Sequence, residues 1–411
     1  MKLTNYWNTT TSKPKSKWVG NLPDHSKVVI LGAGGAGLTT AVSLALAGGE
    51  DITVIDSTMP SWRGARKGIG VATLFGRQLE DMHKMGIHVS DIFRYLKMSQ
   101  IGMKNTIEFI RRYSDVVNND EWCHAKQYGG FHLVNTEEDV RTVKHLEKYL
   151  EFTGVKSSYM NPQQVEKLTG LNVEKGGLFV PNEFMLNPAQ LYNGMAMACR
   201  RVGIELLSGY TVTEVYQDAR FWVIADSMGN HIRCDKLIIC TGANLEALPD
   251  IEELEEYVLR KRIFYGATPE IATMRLPPYV ISSLDGSMIT RRFDNRIIMA
   301  LDDNDTHAAD LKPPKPPTIR KAQEKLVELY PITSDVERKF EYVWSKNCLQ
   351  TRDSLPIVCE VQERPNLYLN IGYGMDSLGW QHIGAAVIKE LILGSKSTPN
   401  LGLFSLERVN K

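Results

Sequence analysis

Three glycines and one aspartate carry the clearest chemical message in this chain. Gly32, Gly34 and Gly37 stand in the pattern Gly-x-Gly-x-x-Gly, with Gly35 and Ala36 between them and Asp56 further on. A pyrophosphate is held by bare backbone N–H groups at a helix N-terminus, where no side chain intervenes. In such a pattern Gly32 permits the tight turn, Gly34 lets the backbone approach the phosphates, and Gly37 lets the helix pack on its strand. A carboxylate about 20 residues on accepts hydrogen bonds from a ribose diol, the part expected of Asp56.

Other residues of chemical interest lie far apart. Arg63, Arg66, Lys67, Gly70 and Val71 belong to a basic, glycine-dense loop that can approach a flavin closely. An apolar run at 236–240 closes on Thr241, Gly242 and Ala243, and a second glycine loop carries Gly372, Gly374, Met375 and Leu378. Arg291 and Arg292 are adjacent in a strand-like stretch, so only one of them can face a site on a given side. Tyr265, Tyr279 and Tyr373 are candidate aromatic walls. The cysteines at 123, 199, 234, 240, 348 and 359 form no CxxC pair and no cluster at metal spacing, so no metal site is expected.

The elements that must position these residues follow from hydrophobic patterning. Apolar runs at 28–31 and 52–55 flank a helix of small residues reaching Ala47, giving strand, turn, helix, strand. Helices are expected over 80–113, 137–152, from Asn161-Pro162, from Asn187-Pro188, over 319–329 and over 385–393; strands are expected at 205–215, 221–225, 258–265, 279–282, 288–292 and 296–301. Residues 312–317 read as a proline-rich connector.

Composition limits the function classes. The chain has 411 residues, 48 Lys+Arg against 48 Asp+Glu, and 43% hydrophobic residues, enough for two or three domains with full cores. A balanced charge with no basic stripe argues against a nucleic-acid partner, and no apolar run is long enough to span a bilayer. A cytoplasmic protein acting on a small molecule is the expectation.

Taken in order, the Gly-x-Gly-x-x-Gly unit, the Asn187-Pro188 helix, the Thr241-Gly242-Ala243 turn, Arg292-Phe-Asp-Asn-Arg296, Trp344 with Thr351-Arg-Asp-Ser-Leu-Pro356, and the Gly372/Gly374 loop resemble the FAD-dependent oxidoreductases of the D-amino-acid oxidase family. The resemblance runs from Tyr6-Trp7 to Gly394. It implies an α/β fold, α+β overall: a Rossmann-like FAD-binding domain in pieces (24–110, 183–247, 346–400) and a substrate domain (111–182, 248–345) built on a mixed or antiparallel sheet. It also implies FAD as cofactor and an amine or amino acid as substrate, its C–N bond oxidised to an imine. On this reading Arg292 holds a substrate carboxylate, and Tyr265 and Tyr373 face the flavin.

Three departures qualify the pattern. Tyr373 replaces the histidine of a frequent Gly-His-Gly, and Cys348 stands where an arginine is usual. Cys348-Leu-Gln-Thr351 is similar to the segment that binds FAD covalently in sarcosine oxidases, but its spacing to Asp353 is two residues shorter, so non-covalent FAD is expected. Residues 297–301 lack the oxygen-activating lysine of that subgroup. A catalytically quiet FAD-binding subunit is the alternative class, and a colourless protein would revive an NAD-dependent dehydrogenase.

Overall fold

Side-chain caps decide where several helices begin. Thr136 accepts from the Asp139 N–H while the Asp139 carboxylate accepts from the Thr136 N–H, and the helix Glu137–Phe152 follows. Asn161 and Gln164 repeat the device before Pro162–Thr169, and Asn187 caps Pro188–Arg201 through the N–H groups of Ala189 and Gln190. The computed structural model describes the chain apart from residues 12–17, 19, 63, 76–78, 80, 81, 83–86, 118–121, 245–250, 272–277, 303–312, 331–336, 376, 395–400 and 411.

Two eight-stranded sheets organise the molecule. In the first, Ile357–Glu360, Leu367–Ile371, His231–Ile239, His25–Leu31, Ile52–Asp56 and Glu205–Ser208 lie side by side. All neighbours in this row are parallel except Ile357–Glu360. Its central strands are buried on both faces, as continuous apolar runs require. An antiparallel ribbon, Val212–Asp218 with Phe221–Asp226, extends from His231–Ile239.

The second sheet runs Tyr342–Thr351, Val258–Ala267, Arg296–Asp302, Met288–Phe293, Val280–Ser283, Gly130–Leu133, Gly177–Val180, Ser158–Met160. Only the pairing of Val280–Ser283 with Gly130–Leu133 is parallel, so this is the expected mixed sheet. Its outer face packs Phe131, Phe264, Met299 and Val343 against Ile319, Ala322 and Leu326 of the helix Pro316–Leu329. Its inner face packs Ile263, Tyr265, Ile289, Ile298, Trp344 and Cys348 against Trp7, Ile69, Val71 and Met185.

Four expected bounds can be set beside the structure. Tyr342–Thr351 is one strand paired along its length with Val258–Ala267, so a domain boundary at 346 would cut a ladder in half. The stretch 205–215 is two strands, broken where Gly209 takes a positive φ of 96°. The first long helix is Val89–Arg112, and the expected start of that element at 80 lies outside the described residues. The last helix starts at Ser377 rather than 385. Its glycines are packing positions, not turn positions: a Cβ on Gly102 of the facing helix would lie 2.2 Å from the Gly379 carbonyl oxygen.

Among the described residues no helix is long and apolar enough to cross a membrane, and no group of His, Cys, Asp or Glu could hold a metal ion. All six cysteines are buried, and none is in a disulfide.

Candidate cofactor and substrate site

The turn between His25–Leu31 and the helix Gly35–Leu46 is built from bare backbone. Gly32 has φ +105°, and a Cβ there would lie 2.4 Å from the Cys240 carbonyl oxygen. A Cβ on Gly37 would lie 1.9 Å from the Gly32 carbonyl oxygen, and one on Gly35 would lie 2.1 Å from Gln381 Oε1. Ala36 is partly buried against the core. Gly34 differs from the other three: it is the helix N-cap, supplies no side-chain cap, and an added Cβ would meet nothing within 4 Å. The helix therefore presents its first N–H groups beside open space, which is what an anion needs.

Asp56 braces this turn. Its Oδ2 accepts from the Ala33 N–H at 2.8 Å, and its Oδ1 accepts from the Thr58 N–H at 2.8 Å and the Thr58 hydroxyl at 3.0 Å. Across the sheet, Thr241 and Gly242 follow the strand His231–Ile239, with Gly242 at φ +61° and Thr241 beside Gly32.

Three buried polar groups beside these glycines have donors or a hydroxyl with no protein partner. They are Thr241 Oγ1 next to Gly32, Gln381 Nε2 next to Gly35, and Arg291 Nε and Nη2, on a side chain that touches Gly70. Buried polar atoms are nearly always bonded. Orphans at three separate glycine contacts fit a large bound group rich in acceptors, and FAD has that character.

The loop after Asp56 is suspended by side chains from elsewhere in the chain. The Lys67 carbonyl accepts from Trp344 Nε1 at 2.9 Å, the Gly68 carbonyl from Trp7 Nε1 at 2.8 Å, and the Ile69 and Gly70 carbonyls from Arg291 Nη1 at 3.2 and 2.6 Å. Arg291 Nη1 also reaches the Leu186 carbonyl at 2.6 Å. Val71 then pairs with Met185. Arg63 lies outside the described residues. Arg66 is buried over the Trp62 ring and donates to Asn193 Oδ1 at 2.7 Å; burial lowers its pKa.

This geometry sets the two arginines on opposite faces. Asp294 and Asn295 both have positive φ, 51° and 53°, and form the two-residue turn that pairs Phe293 with Arg296. In that register Ile289, Arg291 and Phe293 face inward, while Thr290 meets the Tyr330 hydroxyl on the outer side. Arg292 shares the face of Thr290 and donates to Asn295 Oδ1, on the opposite side of the strand from Arg291 and the 69–70 backbone. Arg291 is fully buried between the Trp7 and Phe293 rings, and burial lowers its pKa to about 9.

Tyr373 is also turned away. Its hydroxyl donates to Asn370 Oδ1 inside the first unit, where a Cβ on Gly384 would collide with it, and burial pushes its pKa up. Tyr265 does lie on the inner face, stacked on Trp344 with rings 5.5 Å apart and 9° from parallel. Met375 packs into the same cluster, because the Gly374 N–H bonds to the Leu349 carbonyl at 2.8 Å and ties the 372–375 loop to the Tyr342–Thr351 strand. Gly372 and Gly374 have φ +85° and +56°, and Leu378 is buried at the start of the last helix.

Cys348 lies in this inner cluster opposite Lys261, which is ion-paired with Asp302 at 3.2 Å, both buried. No sequence signal marked the buried chain of Ser282 Oγ, His132 and Glu183 Oε1, with links of 2.9 and 2.7 Å and Phe75 stacked on the imidazole. All three are enclosed, so they stitch the second sheet to residue 74 rather than meet a substrate.

Comparison with known proteins agrees with this geometry. Residues 27–391 match the family model described as FAD dependent oxidoreductase. The chain is 22% identical over 390 residues to the probable oxidoreductase OrdL of Haemophilus influenzae, covering 90% of this chain and 84% of that protein. Among solved structures it is similar to L-proline dehydrogenase from P. horikoshii (TM-score 0.77, 19% identity, 95% and 99% of the two chains). It is also similar to glycine oxidase from Geobacillus kaustophilus (TM-score 0.75, 16% identity, 93% and 99%).

Proposed function

The chain belongs to the FAD-dependent oxidoreductase family, and from that premise we propose that it oxidises the C–N bond of an amino acid or small amine to an imine, with non-covalently held FAD. The observation that carries this reading is the set of orphaned polar atoms at the glycine contacts, set beside an inner sheet face of Tyr265, Trp344 and Met375. FAD, when bound, supplies the hydride acceptor. The substrate carbon gives up a hydride, its nitrogen loses a proton, and water then hydrolyses the imine.

The protein's part is orientation and exclusion of solvent. The N–H groups at Gly34 and beyond take the pyrophosphate, and Asp56 takes the adenosine ribose. Thr241 and Gly242 line the adenosine side, while Gly70, Val71, Gly372 and Gly374 bring backbone to the ring. Tyr265 and Trp344 form an aromatic wall, and the buried Lys261–Asp302 pair stands further along the same face. Arg291 is a positioning residue: it holds the 69–70 backbone rather than the substrate.

The test is direct. The purified protein should be yellow, acid precipitation should leave flavin in the supernatant, and an amine or amino acid should bleach the colour without oxygen. Flavin that stays with the precipitate would transfer the attachment to Cys348. A yellow protein unmoved by a broad amine panel would favour the catalytically quiet FAD-binding subunit.

A further inference from the structure

We propose that the end of the helix Glu137–Phe152, with the helix Val89–Arg112 beside it, is a docking surface for an anionic lipid bilayer. This goes beyond the amine-oxidation reading and does not rest on it. Helical period puts Val143, Leu146 and Leu150 in the core and Arg141, His145, Lys148 and Phe152 on the opposite, exposed face. Phe152 is the last residue of its helix and is 82% exposed. Its ring lies edge-on to Phe93 of the neighbouring helix at 6.3 Å, and Phe93 packs in the same way on Tyr149 at 5.1 Å. Phe93, Lys97 and Ile101 are spaced four apart along one stripe of that helix, and Ile101 is 41% exposed.

Charge selects the partner. Lys97 stands between Phe93 and Ile101, Lys148 lies one turn before Phe152, and Lys156 follows the Gly154 turn; all three are exposed. Among the described residues none of the three is ion-paired. The acids around them are engaged: Asp91 accepts from Arg94 at 2.8 Å, Glu108 pairs with Lys104 at 3.7 Å, and Glu147 accepts from the Tyr159 N–H at 3.0 Å. Glu137 and Glu138 stand at the far end of their helix, which leaves Glu151 as the exposed acid beside Phe152. The surface is therefore cationic around an apolar tip.

That combination favours a bilayer over other anions. A single-stranded nucleic acid would neutralise the lysines and stack a base on Phe152, but Ile101 has no face on which a base can stack. An anionic bilayer meets both needs, with charge at its surface and an acyl layer that takes ring and aliphatic side chain alike. Phe152 projects from a helix end, which suits insertion into a soft layer. Each lysine at such a surface strengthens binding roughly fivefold, so three together give about 100-fold. The ring adds roughly tenfold when part of its surface leaves water.

The experiment is flotation of the full chain, as purified, with vesicles of phosphatidylcholine alone or of an equal mixture of phosphatidylcholine and phosphatidylglycerol. Binding to the anionic vesicles should exceed binding to the neutral ones about 100-fold at low salt and weaken as salt rises. Lys148→Glu should reduce it roughly 20-fold and Phe152→Ser roughly tenfold, with melting temperature and flavin content unchanged because both side chains are exposed. Lys321→Glu is the control: it makes the same charge change on the helix Pro316–Leu329, which covers the outer face of the second sheet, and should leave binding intact. No binding, equal binding to both vesicles, or a loss in Lys321→Glu as large as in Lys148→Glu overturns the proposal. Full binding by Phe152→Ser, with polyuridylate displacing the vesicles, would reassign the surface to a polyanion and also overturn it. No amine enters the assay, so its outcome is independent of the oxidation reading.

Discussion

The turn at 32–37 and the loop at 67–70 are both glycine-rich, but they are fixed in opposite ways. The first is held mainly by backbone: Gly32 donates to the Ile55 carbonyl at 2.8 Å and Gly37 abuts the Gly32 carbonyl, with the Asp56 carboxylate as its side-chain brace. The second is held by its carbonyls from Trp7, Arg291 and Trp344, residues up to 277 positions away. A backbone device tolerates no side chain where it is crowded, at Gly32, Gly35 and Gly37. A loop suspended by side chains is non-local, and its failures should be graded.

The sharpest break of this contrast is within the first turn. Gly34→Leu should leave the apo fold intact, because its φ of −78° is ordinary and its Cβ direction is open, while flavin content falls at least about tenfold. Gly37→Ala should lose flavin and also stability, by about 1–3 kcal/mol or more, since the new Cβ meets backbone. Absorbance ratio and thermal melting separate the two. Stoichiometric flavin in Gly34→Leu would remove the pyrophosphate assignment.

Next in size is a side-chain fastening where the chain returns from the second sheet to the first. Arg408 donates to Asp353 from Nε at 2.7 Å and from Nη2 at 3.3 Å, and Nη2 also reaches the Leu355 carbonyl at 2.6 Å. Burial pushes the Asp353 carboxyl up, but the Arg408 hydrogen bonds and charge outweigh it and hold the pKa below the usual range. Arg408→Ala, which leaves that carboxylate buried and unpaired, should cost about 3–5 kcal/mol at neutral pH. A depressed carboxyl pKa stabilises above its unfolded value and loses that contribution as pH falls through the folded one. The deficit of the variant should therefore be full above about pH 4 and shrink below it. A deficit independent of pH would show that packing, not the ion pair, is what was lost.

The loop itself is tested by neighbouring arginines. Arg291→Ala takes a donor from three buried carbonyls, of which Gly70 keeps the Leu186 N–H, and should cost about 2–4 kcal/mol and loosen flavin. Arg292→Ala, on the other face, should stay within about 0.5 kcal/mol by chemical denaturation. The reverse ranking would mean that the hairpin register is shifted by one.

The smallest effect belongs to a residue with neither kind of support. His382 Nε2 is buried without a partner beside Phe109, and burial lowers its pKa to about 3. Below about pH 6.5 the unfolded chain takes up a proton that the folded one refuses, so stability should fall by up to about 1.4 kcal/mol per pH unit. His382→Gln should flatten that slope between pH 6.5 and 5.5; an unchanged slope would place the titrating group elsewhere.

The same contrast explains what the sequence made legible. The Gly32–Gly37 turn and the capped helices at 137, 162 and 188 depend on residues a few positions apart, and each could be read directly; Asp56 was read as a ribose acceptor, and its bond to the Ala33 N–H was not. Alternation placed Arg291 and Arg292 on opposite faces but could not say which face was inner, because the outer helix and the Asp294-Asn295 turn decide that. Gly379 and Gly384 read as loop glycines, yet they serve close contacts with Gly102 and Tyr373 that no local pattern records. The Trp7, Trp344 and Arg291 bonds to one loop join segments far apart in the chain.

The strand order of the first sheet bears on when the cofactor can be captured. His25–Leu31 pairs on one side with Ile52–Asp56 but on the other with His231–Ile239, made some 200 residues later. Gln381, which closes over Gly35, belongs to the helix Ser377–Leu393, made some 340 residues later than Gly35. At about 5–20 residues per second the N-terminal strand waits tens of seconds on the ribosome with one edge unpaired. Such long-range pairing makes folding slow. A cofactor held at this turn is therefore captured after the strand His231–Ile239 and the helix Ser377–Leu393 exist, so flavin shortage should raise the pool of folded apoprotein rather than stall early folding.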